Sequence, residues 1–387
     1  MSTSSEAVEA PLELPVCLVT GGSGLLGHAL QTVLSRTTHK PNPSSPFPSS
    51  SPSSSSSCSP PSSSSSPSSV EKSEGESSAA VSIPPPLAVL RGESFLFVFV
   101  GSKHANLRRF DEARRLFAAY RPKAIIHLAA RVGGLFDNMA HNLEFFQENL
   151  EINENVVKLC HEFKVARGVF CLSTCIFPAK YAEEGILMDE TCLHEGLPHP
   201  SNEGYSYAKR YLEISLRLHR QQYGWEWRCI SPTNLYGPFD RFSLSRAHVL
   251  PALIHKAFLA SREDKPLVVG GSGRPLRQFV YSEDAAEIIL KVVHTPHMTE
   301  DQSHLILADD NPEGVSIAEV AETIANEFSL SHPLQFDTSR PDGIFRKSVS
   351  NARLRRFLGP DFQFVSLKEG ISRTVKWFKE NSTQIRP

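Results

Sequence analysis

No apolar run in this chain approaches the roughly 20 residues that a membrane-spanning helix needs, so no spanning segment is expected. Its seven cysteines include no CxxC pair and no Cys/His cluster at metal-ligand spacing, which leaves no metal to assign. A dominant charge sign is also missing: 40 Lys and Arg stand against 42 Asp and Glu, for a formal charge of -2. That balance gives no reason to expect a nucleic-acid or membrane partner. Residues 1–16 carry acids but lack the basic-then-apolar order of a leader. Cys17, Cys171 and Cys229 sit in strand-like apolar runs, where a reduced thiol packs as a small hydrophobe. A reducing, cytoplasmic compartment is therefore the expectation.

What is present divides into two kinds of chain. From Ser44 to Ser69 every residue is Ser or Pro except Phe47 and Cys58. Such a stretch cannot bury enough apolar surface to offset its ordering entropy. A disordered tail is predicted over 1–13, and a disordered Ser/Pro-rich insertion over 40–93. Elsewhere strands and helices alternate. Strand-like runs at 16–20, 95–100, 124–128, 168–172 and 228–231 are separated by helical stretches at 25–34, 111–119, 142–162 and 206–222. Strands apolar on both faces and separated by helices predict a parallel sheet covered on both sides. Beyond Pro238 the alternation loosens into a smaller, mixed α/β unit. The expected division is 14–237 for the first domain and 238–387 for the second, with part of 276–312 returning to the first.

The first strand runs directly into Gly21, Gly22, Ser23, Gly24, Leu25, Leu26 and Gly27, and the first helix opens there. The GxxGxxG spacing lets backbone N–H groups approach a dinucleotide diphosphate at a helix N-terminus. That position implies a Rossmann-type, doubly wound sheet. The second strand ends in Gly101-Ser102-Lys103, without the carboxylate that holds the ribose of NAD, so NADP(H) is predicted with Lys103 beside its phosphate.

Of eight tyrosines only Tyr205 has a lysine four residues on, Lys209, which places both on one helix face. An ammonium there is expected to lower the phenol pKa, so that the tyrosine can pass a proton to an oxygen. Ser173 ends a preceding strand, at the carboxyl edge where ligands bind in parallel sheets. Each feature alone has a plainer explanation in a turn or an exposed helix face. Their order along one α/β chain points to an oxidoreductase.

These segments resemble the extended short-chain dehydrogenase/reductase family, and within it the GDP-L-fucose synthases. The narrower signatures are Val132-Gly133-Gly134-Leu135-Phe136-Asp137-Asn138, Leu172-Ser173-Thr174-Cys175-Ile176-Phe177-Pro178 and His248-Val249-Leu250-Pro251. Pro232-Thr233-Asn234-Leu235-Tyr236-Gly237-Pro238 and Ser339-Arg340-Pro341-Asp342-Gly343 extend the likeness. The resemblance implies that a GDP-4-keto-6-deoxymannose is epimerised at carbons 3 and 5, then reduced at carbon 4 with NADPH. It implies Cys175 as base, His248 as acid, and Ser173, Tyr205 and Lys209 around the ketone oxygen. It also implies cofactor contacts at 21–27, Lys103, Lys209, Pro232, Thr233, Asn234, Leu235 and His248. Substrate contacts are implied at Lys256, Arg277 and Asp342, and a homodimer through the helices at 142–162 and 206–222. Four residues depart from the family's pattern. Gly270 replaces a tryptophan beside the substrate, Phe239 and Arg241 replace His and Asn, and Asn106 replaces an aspartate.

Overall fold

A computed structural model describes residues 14–38, 83–244, 246–340 and 342–383. The chain begins with β1 (Val16–Thr20), α1 (Leu25–Thr38), β2 (Ala88–Arg91), β3 (Leu96–Val100), α2 (Phe110–Tyr120) and β4 (Ala124–His127). It continues through α3 (Leu135–Ala140), α4 (Asn142–Glu162), β5 (Arg167–Cys171), α5 (Ala179–Glu183), α6 (Glu203–Tyr223) and β6 (Glu226–Pro232). Seven strands form one sheet in the order β11-β6-β5-β4-β1-β3-β2, where β11 is His304–Leu307. All neighbours are parallel except β2 against β3. β4 is buried along its whole length and β1 and β3 at four of five positions, the pattern of strands covered on both faces.

One core layer lies between the sheet and α2, α4 and α6, with Phe117, Val156, Leu159, Leu212 and Leu216 at its centre. The other lies against α1, α8 (Ser282–His294) and α10 (Ala352–Leu358), through Leu30, Ile288, Ile289 and Leu354. A third cluster joins α7 (Val249–Glu263), α9 (Ile317–Glu327) and α11 (Leu367–Asn381) around Phe242, Ile254, Val320 and Phe378. Short pairs of strands edge this part: β7 (Asn234–Tyr236) with β10 (Phe279–Tyr281), β8 (Val268–Gly270) with β13 (Gln335–Asp337), and β9 (Leu276–Arg277) with β12 (Val315–Ser316). The doubly wound sheet and the smaller mixed α/β part match the predicted fold class.

The insertion predicted to reach residue 93 stops short of that in the fold. β2 lies inside the stretch, paired antiparallel with β3. Half-buried Ala88 and Leu90 alternate with exposed Val89 and Arg91, a two-residue period brief enough to be masked by the neighbouring low-complexity sequence. Residues 39–82 and the tail 1–13 lie outside the described residues.

Candidate active site

The carboxyl ends of β1, β3, β4, β5 and β6 open onto one cleft of about 1080 Å3, closed on the far side by Arg277 and residues 342–349. This is where a doubly wound sheet leaves a crevice for ligand, because the strand order reverses at β1. Gly21 has φ +76°, and a Cβ there would lie 2.8 Å from the Ala129 nitrogen. A Cβ on Gly27 would lie 2.5 Å from the Gly22 carbonyl, so α1 can pack onto the loop only without one. α1 then begins at Leu25 with no acid in its first turn, leaving its positive end free for an anion. Beyond β3 the cleft wall is Gly101, Ser102, Ala105, Asn106, Leu107 and Arg108, with no carboxylate among them. The cradle and this wall fit a dinucleotide bearing a ribose phosphate. Lys103 is exposed and stands off this wall, and Arg108 is the cation that lines it. Gly22 is buried behind the loop, its N–H donated to the Val100 carbonyl.

Ser173, Cys175, Tyr205, Lys209 and His248 all line the same cleft. Ser173 follows β5, and its Oγ accepts the Cys175 N–H at 3.3 Å, which fixes the single 3-10 turn carrying the thiol. Tyr205 and Lys209 lie on the inner face of α6, and the Lys209 Nζ donates to the Cys171 carbonyl at 2.7 Å. The Nζ is 5.7 Å from the Tyr205 ring centre. The expected lowering of the tyrosine pKa is not found. Burial raises it well above the ordinary phenol value, with Cys175 and Cys171 adding to the effect. Burial likewise lowers Lys209. Desolvation dominates at Tyr205, so the phenol stays protonated. His248 caps α7 and keeps an accessible edge, yet the surrounding protein and then Arg241 hold it below the ordinary imidazole value.

At the other end, Arg277 is anchored by donating to the Leu276 carbonyl at 2.7 Å and the Ile344 carbonyl at 2.8 Å. Asp342 accepts from the Ser272 N–H at 2.6 Å and Oγ at 2.7 Å, bonds that hold its carboxyl below the usual range. Lys256 is not brought into the cleft wall; its Nζ donates to the Val268 carbonyl at 3.2 Å. Pro232, Thr233, Asn234 and Leu235 line the cleft after β6, and the Asn234 side-chain amide donates to the Gln278 carbonyl at 2.8 Å.

The family model for NAD dependent epimerases and dehydratases matches residues 17–308, the span that builds this cleft's cofactor side. The chain belongs to the NAD dependent epimerase/dehydratase family. A GDP-L-fucose synthase of Dictyostelium discoideum is 43% identical over 286 residues, 74% of this chain and 87% of that protein. The GDP-L-fucose synthase of Escherichia coli (strain K12) is 34% identical over 286 residues, 73% of this chain and 88% of that one. A crystal structure of a GDP-L-fucose synthetase from Naegleria fowleri bound to NADP is 33% identical, with a TM-score of 0.75 over 99% of this chain and 100% of that chain.

Two cleft features of this epimerase/dehydratase family member escape sequence reasoning. Lys347 lines the cleft beside Cys175 and Arg277, and burial pushes its ammonium down to about 8. Arg246 lines it from the loop that precedes His248. A basic residue shortly after the Asp342-Gly343 turn was the only signal for the former, and none marked the latter. At two of the four departures the local packing is clear. The Arg340 Cδ covers Gly270, 3.1 Å from where a Cβ would stand, and the Asn106 Oδ1 accepts the Arg108 N–H at 3.1 Å.

Proposed function

We propose that this chain is a GDP-L-fucose synthase, converting a GDP-4-keto-6-deoxymannose by epimerisation at carbons 3 and 5 and NADPH-dependent reduction at carbon 4. The observation that carries this reading is the meeting of Cys175 and His248 with Ser173, Tyr205 and Lys209 in one cleft. The hydrogens on carbons 3 and 5 are acidified by the ketone between them. Cys175 removes such a proton, and His248 returns one to the opposite face. Ser173 and Tyr205 hydrogen-bond the carbonyl oxygen and stabilise the enolate. In the reduction Tyr205 gives its proton to that oxygen, and Lys209 holds positive charge beside the resulting phenolate. NADPH, when bound, supplies the hydride. Arg277 and Lys347 supply positive charge for the substrate diphosphate, Asp342 lines the same end of the cleft as an acceptor, and Lys256 lies off its wall.

The cofactor side is assigned to 14–237 and the substrate side mainly to 238–387, with α8 and β11 packing back on the large sheet. A homodimer is supported by exposed Tyr211, Ile214 and Leu218 at helical spacing on α6, and by exposed Leu143 at the start of α4. A cytoplasmic location fits the six free thiols among the described residues and a chain in which no described helix is long and apolar enough to cross a membrane.

The test is NADPH oxidation with GDP-4-keto-6-deoxymannose in deuterated water. Substrate-dependent oxidation with deuterium at carbons 3 and 5 is expected. Oxidation without deuterium would leave a plain ketoreductase, and carbon-4 inversion without net NADPH loss a 4-epimerase.

A further inference from the structure

Two of the departures from the family pattern, Phe239 and Arg241, lie on one loop, and the fold gives them a joint role. Phe239 has φ +65°, a left-handed conformation that a bulky residue adopts only when its surroundings impose it. Those surroundings are aromatic. Its ring stacks on His28 of α1, with centres 4.3 Å apart and planes 12° apart, and rests 4.7 Å from Trp377 of α11. His28 lies one turn beyond Gly24, so the stack ties the loop to the first turn of α1. Farther along the same loop, the carbonyl oxygens of Ala247 and Arg246 lie 3.3 and 3.7 Å from where a Gly134 Cβ would stand. The loop thus bridges the β1–α1 turn and the segment after β4, across the point where the strand order reverses.

Arg241 and Arg246 both line the cleft from this loop. They also line a side opening of about 380 Å3 shared with Arg131, Asp137 and His141. The other charges there are engaged: Arg131 pairs with Glu148 at 2.7 Å, and Asp137 with His141 at 2.9 Å. Among the described residues neither Arg241 nor Arg246 has an ion-pair partner. Two unpaired guanidiniums facing a cleft above a glycine loop are suited to a diphosphate, which accepts paired N–H donors.

We propose that Arg241 and Arg246 clamp the diphosphate of the nicotinamide dinucleotide from above, and that the Phe239 stack holds them there. This rests on the dinucleotide reading of the cleft given above. The glycine loop and α1 present backbone N–H groups from below, and the arginines neutralise the opposite side. Arg277 and Lys347, on the opposite wall of the cleft, are left for the sugar nucleotide.

The test is direct fluorescence titration of the full chain with NADPH and with NADH, before and after Arg241→Ala, Arg246→Ala and the double substitution. Both arginines are accessible enough that thermal unfolding is expected to be unchanged, which serves as the folding control. Each single change is expected to raise Kd about tenfold, equally for both cofactors since both carry the diphosphate. The double variant is expected to show a flatter dependence on salt. Phe239→Ala, with both arginines present, is expected to weaken cofactor binding in the same way. A loss confined to NADPH would place the arginines at the ribose phosphate and overturn the proposal. Unchanged cofactor Kd with a raised KM for the GDP-sugar would place them at the substrate and overturn it also. If the unaltered chain binds neither cofactor, the dinucleotide reading itself fails and the clamp with it.

Discussion

Cys175 and His248 divide the proposed chemistry at the scale of single residues. Cys175→Ser and His248→Gln are each expected to slow deuterium uptake at carbons 3 and 5 by about 10²- to 10⁴-fold, the range for loss of a positioned acid or base. Reduction of an already epimerised 4-ketone should survive in both. Tyr205→Phe should slow both half-reactions, because its hydroxyl serves the enolate and the final alkoxide alike. Product analysis by mass and NMR separates the two patterns, and equal loss of both half-reactions in Cys175→Ser would remove the thiol from the base role. These residues were legible because each lies in a short, distinctive segment. Lys347 was not: what brings it to Cys175 is the return of the chain after β13, and local sequence carries no trace of that. Lys256 shows the converse. It matches a family position, yet α7 directs it to the Val268 carbonyl and off the cleft wall.

At the scale of elements, α6 has two working faces. Leu212 and Leu216 are fully buried and continue the line of Lys209, while Tyr211, Ile214 and Leu218 are left exposed, Leu218 at 51%. Burying such a leucine at a two-fold interface contributes about 1.5–3 kcal/mol per copy, and each copy would occur twice. Leu218→Glu is therefore expected to raise the dimer Kd by roughly 10²- to 10⁴-fold. Sedimentation velocity across a dilution series reads this directly, and an unaltered chain that runs as a monomer ends the idea. The period of 3.6 made α4 and α6 readable in the sequence to within a few residues. β2 was not readable, because a four-residue strand beside a Ser/Pro-rich stretch offers too little pattern to stand out.

Across the whole molecule, three buried ionisable groups and the half-buried Asp309 make stability depend on pH in opposing ways. Burial, then Lys209 for His127 and Arg353 for His304, lowers both imidazoles from 6.5 to about 3. His127 bonds Thr20 Oγ1 at 2.7 Å across the sheet, and His304 bonds Ser231 Oγ at 2.7 Å. Their stabilising effect is complete above pH 6.5 and is lost as pH falls, by about 2 kcal/mol each at pH 5. Asp284 and Asp309 run the other way: burial raises both from 3.8 to about 6, so the native state gains as they protonate. That gain is about 1 kcal/mol each at pH 5, so the histidines outweigh the aspartates and a small net loss remains. Urea unfolding at pH 7 and pH 5 should show that small decline. His304→Gln should reverse its sign and Asp284→Asn should steepen it. A slope indifferent to both substitutions would mean that these groups titrate in the native state as they do in the unfolded chain.

The sequence by itself determined the doubly wound sheet, the glycine cradle and the order of Ser173, Cys175, Tyr205 and Lys209. Each depends on spacing within a strand, a helix or a turn, and such spacings survive in one dimension. Tertiary structure alone decided which cations share the cleft. It sets Lys347 against Cys175, stacks Phe239 on His28 so that Arg241 faces the cofactor end, and leaves Lys103 outside. It also decided that Tyr205 stays protonated, because burial between α6 and the sheet raises its pKa. Desolvation and long-range contact are properties of the packed molecule, and no local run of residues encodes them.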